Sequence, residues 1–133
     1  MRRIVFDTNI YISAFITPGG RGEAAYRKAI DGHIQPFSSV PILDELARKL
    51  LAKSRWDTPR VTVAVRHVAA VATVLKPTDR LTILADEPDN RILECAVAAG
   101  ADAIVTDDRH PLVLERYKGV EIITLTSFLE WTA

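Results

Sequence analysis

The feature that most constrains this chain is a run of three β-forming apolar residues, Ile4-Val5-Phe6, that ends at once on an acid, Asp7. The run is too short for a helix and has no polar residue to turn toward solvent, so it reads as a strand buried on both faces. Thr8 and Asn9 then turn the chain into an apolar helix start, Ile10-Tyr11-Ile12. Asp7 is thereby left at the carboxyl end of a central strand, where ligands of open α/β sheets gather. Aspartate also caps helices well, so position alone leaves both roles open. What separates them is whether other acids stand at similar strand ends.

Along the chain, Thr17-Pro18-Gly19-Gly20-Arg21-Gly22 is breaker-rich and reads as a loop, with helical spacing resuming from Glu23 to Ile30. Ile34-Gln35-Pro36-Phe37 reads as a second strand in which Pro36 limits pairing. Ser38-Ser39-Val40-Pro41 is a helix start, a hydroxyl cap with proline in the first turn, followed by a stripe of Ile42, Leu43, Leu46, Leu50 and Leu51. A further helix is expected from Arg60 to about Ala72, and short extended segments at Val74-Leu75 and Leu81-Thr82-Ile83-Leu84. Asp86 to Gly100 holds an amphipathic helix that stops at the glycine. Ala103-Ile104-Val105-Thr106 reads as a buried strand ending on Asp107-Asp108. A short helix closed by Gly119, a last strand over Val120–Leu125 and a helix from Ser127 complete the pattern.

Strands alternating with helices over short connections predict an α/β fold: a three-layer α/β/α sandwich around a central, mostly parallel sheet. At 133 residues, with 48% hydrophobic and 26% charged residues, the chain is expected to form one domain over 1–133. No apolar run reaches the ~18 residues of a membrane span. Met1-Arg2-Arg3 is not followed by a signal-peptide core, and Cys95 is alone. A cytoplasmic location is therefore expected. The net charge of zero hides ten Lys and Arg against six Asp and Glu in residues 1–60, and seven against eleven thereafter. A neutral total gives no argument for nucleic-acid binding; only patches formed by the fold do that.

Four acids qualify by placement: Asp7, Glu45, Asp89 and Asp108. Asp89 has a capping alternative with Asp86, and Asp107 or Asp108 has one at the following helix. Glu45, past the first turn of its helix, has no such alternative, although Lys49 one turn on offers an ordinary surface pair.

In this ordered set the chain resembles the PIN domain, a family of metal-dependent nucleases that includes the VapC-like toxins of toxin-antitoxin pairs. The matching stretches are Val5-Phe6-Asp7-Thr8-Asn9, Ser38 to Leu46 with Glu45, Asp86 to Ala96 around Pro88-Asp89-Asn90, and Ile104 to His110. The resemblance implies that Asp7, Glu45, Asp89 and Asp108 bind metal and are catalytic, with Asn9 and Thr106 as polar support and Asp86 an occasional addition. It further implies an endoribonuclease, a cognate antitoxin that inserts into the active-site groove, and a homodimer. Two features depart from the family pattern. Asp107 precedes Asp108, which leaves the last ligand open between them; Asp108 is taken because it lies two places after Thr106. His110-Pro111 replaces an acid-leucine pair.

Carboxylates gathered in one crevice raise each other's pKa unless a cation compensates. All-oxygen ligation suits Mg²⁺ or Mn²⁺, whereas zinc prefers thiolate and imidazole clusters that this sequence does not offer. Such ions activate water and stabilise charge on phosphoryl oxygens. His110 is assigned no general-acid role, because a metal mechanism does not require it. Arg91 and Arg109 are expected to neutralise the acids rather than bind phosphate. An alternative is a non-catalytic PIN-fold module that binds RNA or protein, which the intact acid set disfavours. An aspartate-nucleophile phosphatase is disfavoured by Asn9, where that mechanism wants a second acid, and a receiver domain by the early position of Asp7.

Overall fold

The computed structural model describes residues 1–133. The chain runs β1 (Arg3–Phe6), α1 (Thr8–Ile16), α2 (Arg21–Ile30), β2 (Gln35–Ser39), α3 (Val40–Lys53), α4 (Thr58–Val71), β3 (Thr73–Leu75), α5 (Glu87–Ala99), β4 (Ala103–Val105), α6 (Arg109–Leu114), β5 (Arg116–Tyr117), β6 (Val120–Ile123) and α7 (Leu125–Trp131). The six strands form one sheet in the order β3-β2-β1-β4-β6-β5. Every pairing is parallel except that of β5 with β6. This is the mostly parallel α/β sandwich expected from the sequence.

The central strand β1 is buried throughout Ile4, Val5 and Phe6, and its side chains alternate between the two faces. Ile4 and Phe6 join the core formed with α1, α2, α3, α4 and α7. Val5 faces the other layer, where α5 supplies Ile92, Leu93, Cys95, Ala96 and Ala99. Phe6 makes edge-on aromatic contacts with Tyr11 at 5.6 Å and Phe128 at 5.3 Å, which tie α1 and α7 to the same strand. No helix is long and apolar enough to cross a membrane.

Pro36 lies on an interior strand, yet the expectation of limited pairing holds locally. It stands opposite Ile4 of β1, while pairing to β3 starts only at Phe37. Proline's missing donor therefore falls outside the β2-β3 ladder.

Three local expectations are corrected. Arg21 and Gly22 belong to α2 rather than to the preceding loop. Gly22 is buried where α2 crosses α1, and a Cβ there would stand 2.8 Å from Ser13 Cβ and Oγ. Its glycine permits close packing instead of a turn. Leu81–Leu84 is not a strand. Side chains of α5 take its backbone groups: Asn90 receives the Leu84 N–H and donates to the Leu84 carbonyl, both at 2.8 Å. Glu94 accepts from the Leu81 N–H at 2.7 Å, and Arg91 donates to the Leu81 carbonyl at 3.0 Å. Finally, Gly119 closes a hairpin, not a helix. α6 stops at Leu114, β5 follows, and the turn to β6 uses positive φ at Lys118 (48°) and Gly119 (81°).

A methyl group at position 22 forces α1 and α2 apart. Gly22→Ala is expected to destabilise the fold by about 1–3 kcal/mol in urea unfolding. An unchanged midpoint would show that this crossing is not close-packed.

Candidate active site

β1 and β4 are neighbours, but the chain leaves β1 toward β2 on one side and reaches β4 only later on the other. That reversal opens a crevice beyond the carboxyl ends of the two strands. The register aligns Phe6 with Val105, so the next residues, Asp7 and Thr106, fall side by side there. The Asp7 N–H donates to the Val105 carbonyl at 3.0 Å, and the Thr106 hydroxyl donates to Asp7 Oδ2 at 2.7 Å. Asp7 Oδ1 accepts from the Thr8 hydroxyl at 3.2 Å and from the Asn9 N–H at 3.3 Å. Asp7 therefore caps α1 and faces the crevice at once, and the two roles open in the sequence are both filled.

The crevice is a cavity of about 340 Å³. Asp7, Glu45, Asp89 and Asp108 all line it, together with Asp86, Glu87 and Asn9. Thr106 stands behind Asp7, fully buried, and its oxygen also accepts the Asp108 N–H at 3.0 Å. Asp108 caps α6 by accepting from the His110 N–H at 3.0 Å while its residue lines the cavity. Asp107 does not line it: its carboxylate accepts from the Leu125 N–H at 3.0 Å, at the start of α7. Asp86 precedes α5 without a side-chain capping bond, so the capping arrangement considered for Asp86 and Asp89 does not form.

Charge in the cavity is unbalanced, with six acids on the wall against Arg48, Lys49 and Arg91. Asp89 shows the consequence. It is buried, its Oδ2 has no hydrogen-bond partner, and its pKa is pushed up to about 7. Desolvation is the first cause, followed by repulsion from Asp108, Asp86 and Asp7, with Lys49 pulling the other way. Glu45 behaves oppositely. Its hydrogen bonds to Arg48, at 2.5 and 3.2 Å, hold its carboxyl below the ordinary value. No three acids stand close enough to enclose an ion in these side-chain positions, and Glu45 is turned to α3's own basic residues. The donor set still suits a hard divalent cation: carboxylate oxygens without His or Cys, and a buried Asp89 oxygen with no donor of its own.

The basic residues differ from expectation. Arg91 pairs with none of the four candidate ligands; its guanidinium is held by Glu94 at 2.9 Å, by Glu87 at the edge of the cavity at 3.0 Å, and by the Leu81 carbonyl. Arg109 and His110 are exposed and lie off the cavity wall. Arg48 and Lys49 are the cations beside the acids, signalled in the sequence only by their three- and four-residue spacing from Glu45.

Two outcomes follow from this geometry. Thr106→Val keeps the shape of the buried residue but removes the donor to Asp7 and the acceptor for the Asp108 N–H; it is expected to cost about 1–3 kcal/mol in urea unfolding and to weaken divalent-metal affinity about tenfold, as read by calorimetric titration. Asp89 also makes metal-free stability depend on pH. Its folded pKa is raised, so it binds a proton that the unfolded chain has already released; stability falls as pH rises from the ordinary 3.8 to about 7. Mg²⁺ is therefore expected to raise the melting temperature more at pH 8 than at pH 5. Equal gains at both pH values would remove Asp89 from the candidate metal ligands.

An uncharacterised protein of Methanocaldococcus jannaschii, MJ1680, is 27% identical over 111 residues, covering 80% of this chain and 71% of that protein. In fold, the chain is similar to a chain in the crystal structure of VapBC2 from Rickettsia felis bound to a DNA fragment from its promoter. The TM-score is 0.63 at 15% identity, covering 92% of this chain and 98% of the other. The PIN domain family model matches residues 3–110, from the first strand through the last acid of the cavity, and the chain belongs to that family.

Proposed function

We propose that this protein is a Mg²⁺- or Mn²⁺-dependent endoribonuclease that hydrolyses internal RNA phosphodiesters as the toxin of a toxin-antitoxin pair. The observation that carries the reading is the convergence of Asp7, Glu45, Asp89 and Asp108, from four separate elements, on one cavity at the carboxyl edge of the sheet. Membership of the PIN family supports hydrolysis, and the likeness in fold to a VapBC2 chain supports the antitoxin partner. On this reading residues 1–133 form one nuclease domain, acting in the cytoplasm as a homodimer whose groove an antitoxin segment occupies.

Asp7, Asp89 and Asp108 would hold the divalent cation, and Glu45 would join them or orient the attacking water once released from Arg48. A bound divalent cation supplies an activated water and stabilises charge on the phosphoryl oxygens. The protein's own contribution is placement. Thr106 donates to Asp7 and accepts from the Asp108 backbone, which fixes two of the acids relative to each other. The Asn9 N–H and Thr8 hydroxyl hold the second Asp7 oxygen, so this carboxylate keeps its orientation while buried. Asp89, whose Oδ2 has no donor, offers a lone pair free for a cation. Asp86 and Asn9 complete the rim.

The test is cleavage of single-stranded and structured RNA with Mn²⁺ or Mg²⁺ present, in EDTA, and with Asp7→Asn. Cleavage is expected with either metal, to be absent in EDTA, and to fall on the order of 100-fold or more in the variant. Expression should arrest host growth, and Asp7→Asn should relieve the arrest. RNA left intact with metal, together with toxicity indifferent to Asp7, would sink the proposal.

A further inference from the structure

The acid-lined cavity contains a cation of its own. Lys49 lies on α3 one turn after Glu45, a spacing that on most helices yields a weak, solvent-exposed pair. Here the side chain is 19% exposed, whereas that of neighbouring Arg48 is 66% exposed. The Lys49 ammonium donates to the Thr8 hydroxyl at 3.2 Å, and stands 3.8 Å from Glu45 Oε1. Thr8 in turn donates to Asp7, so the ammonium reaches the central acid through one hydroxyl. An ammonium has three N–H donors; Thr8 takes one, and Glu45 is at ion-pair rather than hydrogen-bond distance. Lys49 also acts on Asp89 against the surrounding acids. The other two basic residues on the wall are committed elsewhere, Arg48 to Glu45 and Arg91 to the loop before α5.

A nuclease site faces two opposed demands. It must concentrate negative charge to hold a divalent cation, and it must admit a phosphodiester that this same charge repels. We propose that Lys49 is the phosphate-contacting residue of the cavity, its free N–H groups binding a non-bridging oxygen of the substrate backbone, and that it opposes rather than supports metal binding. The inference deepens the nuclease reading and rests on it. It sets Lys49 apart from every acid on the wall: removing an acid weakens metal binding, whereas removing Lys49 strengthens it. A lysine that merely props Glu45 or Thr8 in place would give the reverse sign, because its loss would loosen the ligands.

The experiment compares Lys49→Met and Lys49→Arg with Lys53→Met, which removes the same charge one turn further along α3, outside the cavity. Mn²⁺ affinity is measured by electron paramagnetic resonance without RNA, and KM and kcat by cleavage of a labelled single-stranded RNA with saturating Mn²⁺. Lys49→Met is expected to tighten Mn²⁺ binding about threefold or more, and to raise KM about tenfold. Lys49→Arg, which keeps the charge, should recover most of the KM, and Lys53→Met should leave both quantities within about twofold of wild type. Weaker Mn²⁺ binding in Lys49→Met, or an unchanged KM, overturns the inference. Wild-type protein that binds Mn²⁺ but cleaves no RNA instead overturns the nuclease reading, and is seen before any variant is compared.

Discussion

The hydrogen bond from Thr106 to Asp7 joins the two central strands at the point where both end, and the rest of the site is arranged around it. It exists because β1 and β4 are parallel neighbours in the register that pairs Phe6 with Val105. A slip of one residue would turn every side chain of the strand to the opposite face and break both cores. The apolar packing of Ile4, Val5 and Phe6 against two helical layers therefore also sets the position of a carboxylate. Asp7 can be 3% exposed because it accepts from Thr106, Thr8 and the Asn9 backbone. Without those donors, burying that charge would be strongly unfavourable.

Asp89 is the counterpart that has not been provided for. It is buried on α5 with one oxygen lacking any donor, and desolvation, then the surrounding acids, push its proton affinity upward. Departures of this kind from full polar satisfaction concentrate where chemistry is done, since a purely structural position would have drawn a partner. The contrast with Asp107 is direct. That acid stands beside Asp108 in sequence, yet its carboxylate is taken up by the Leu125 backbone at the start of α7. One peptide unit separates an acid whose carboxylate lies off the cavity from one that caps α6 and lines the cavity as well.

Much of this was visible in the residues alone. An apolar strand ending on Asp7, a hydroxyl-capped helix carrying Glu45, and a strand ending on Asp107-Asp108 each follow from short-range pattern, and the structure has all three. What short-range pattern could not show were places where side chains from a distant turn replace ordinary backbone pairing. Leu81–Leu84 has the composition of a strand, but its polar backbone groups are met by Asn90, Arg91 and Glu94. Arg91 looked free to neutralise the site for the same reason: nothing local reveals a carbonyl ten residues upstream. In the sequence Gly22 reads as part of a loop because glycine serves both turns and close helix crossings, and only the partner helix tells them apart.

The two helices that flank the cavity each divide their work along their length. α5 turns Asp89, in its first turn, to the cavity, while Asn90, Arg91 and Glu94 bind the loop that leads into it. The acid and the loop anchor are adjacent residues on one rigid element. Any motion that frees the loop must break the paired bonds at Leu84 one residue from Asp89, so order in the loop and placement of the acid are mechanically linked. α3 does the same with charge. Glu45 and Lys49 lie one turn apart and face the same cavity, so shifting this helix moves an anion and a cation together. A site built this way resists partial disassembly: Glu45 and Lys49 ride on one helix, and their relative spacing is set by helical geometry rather than by a flexible loop.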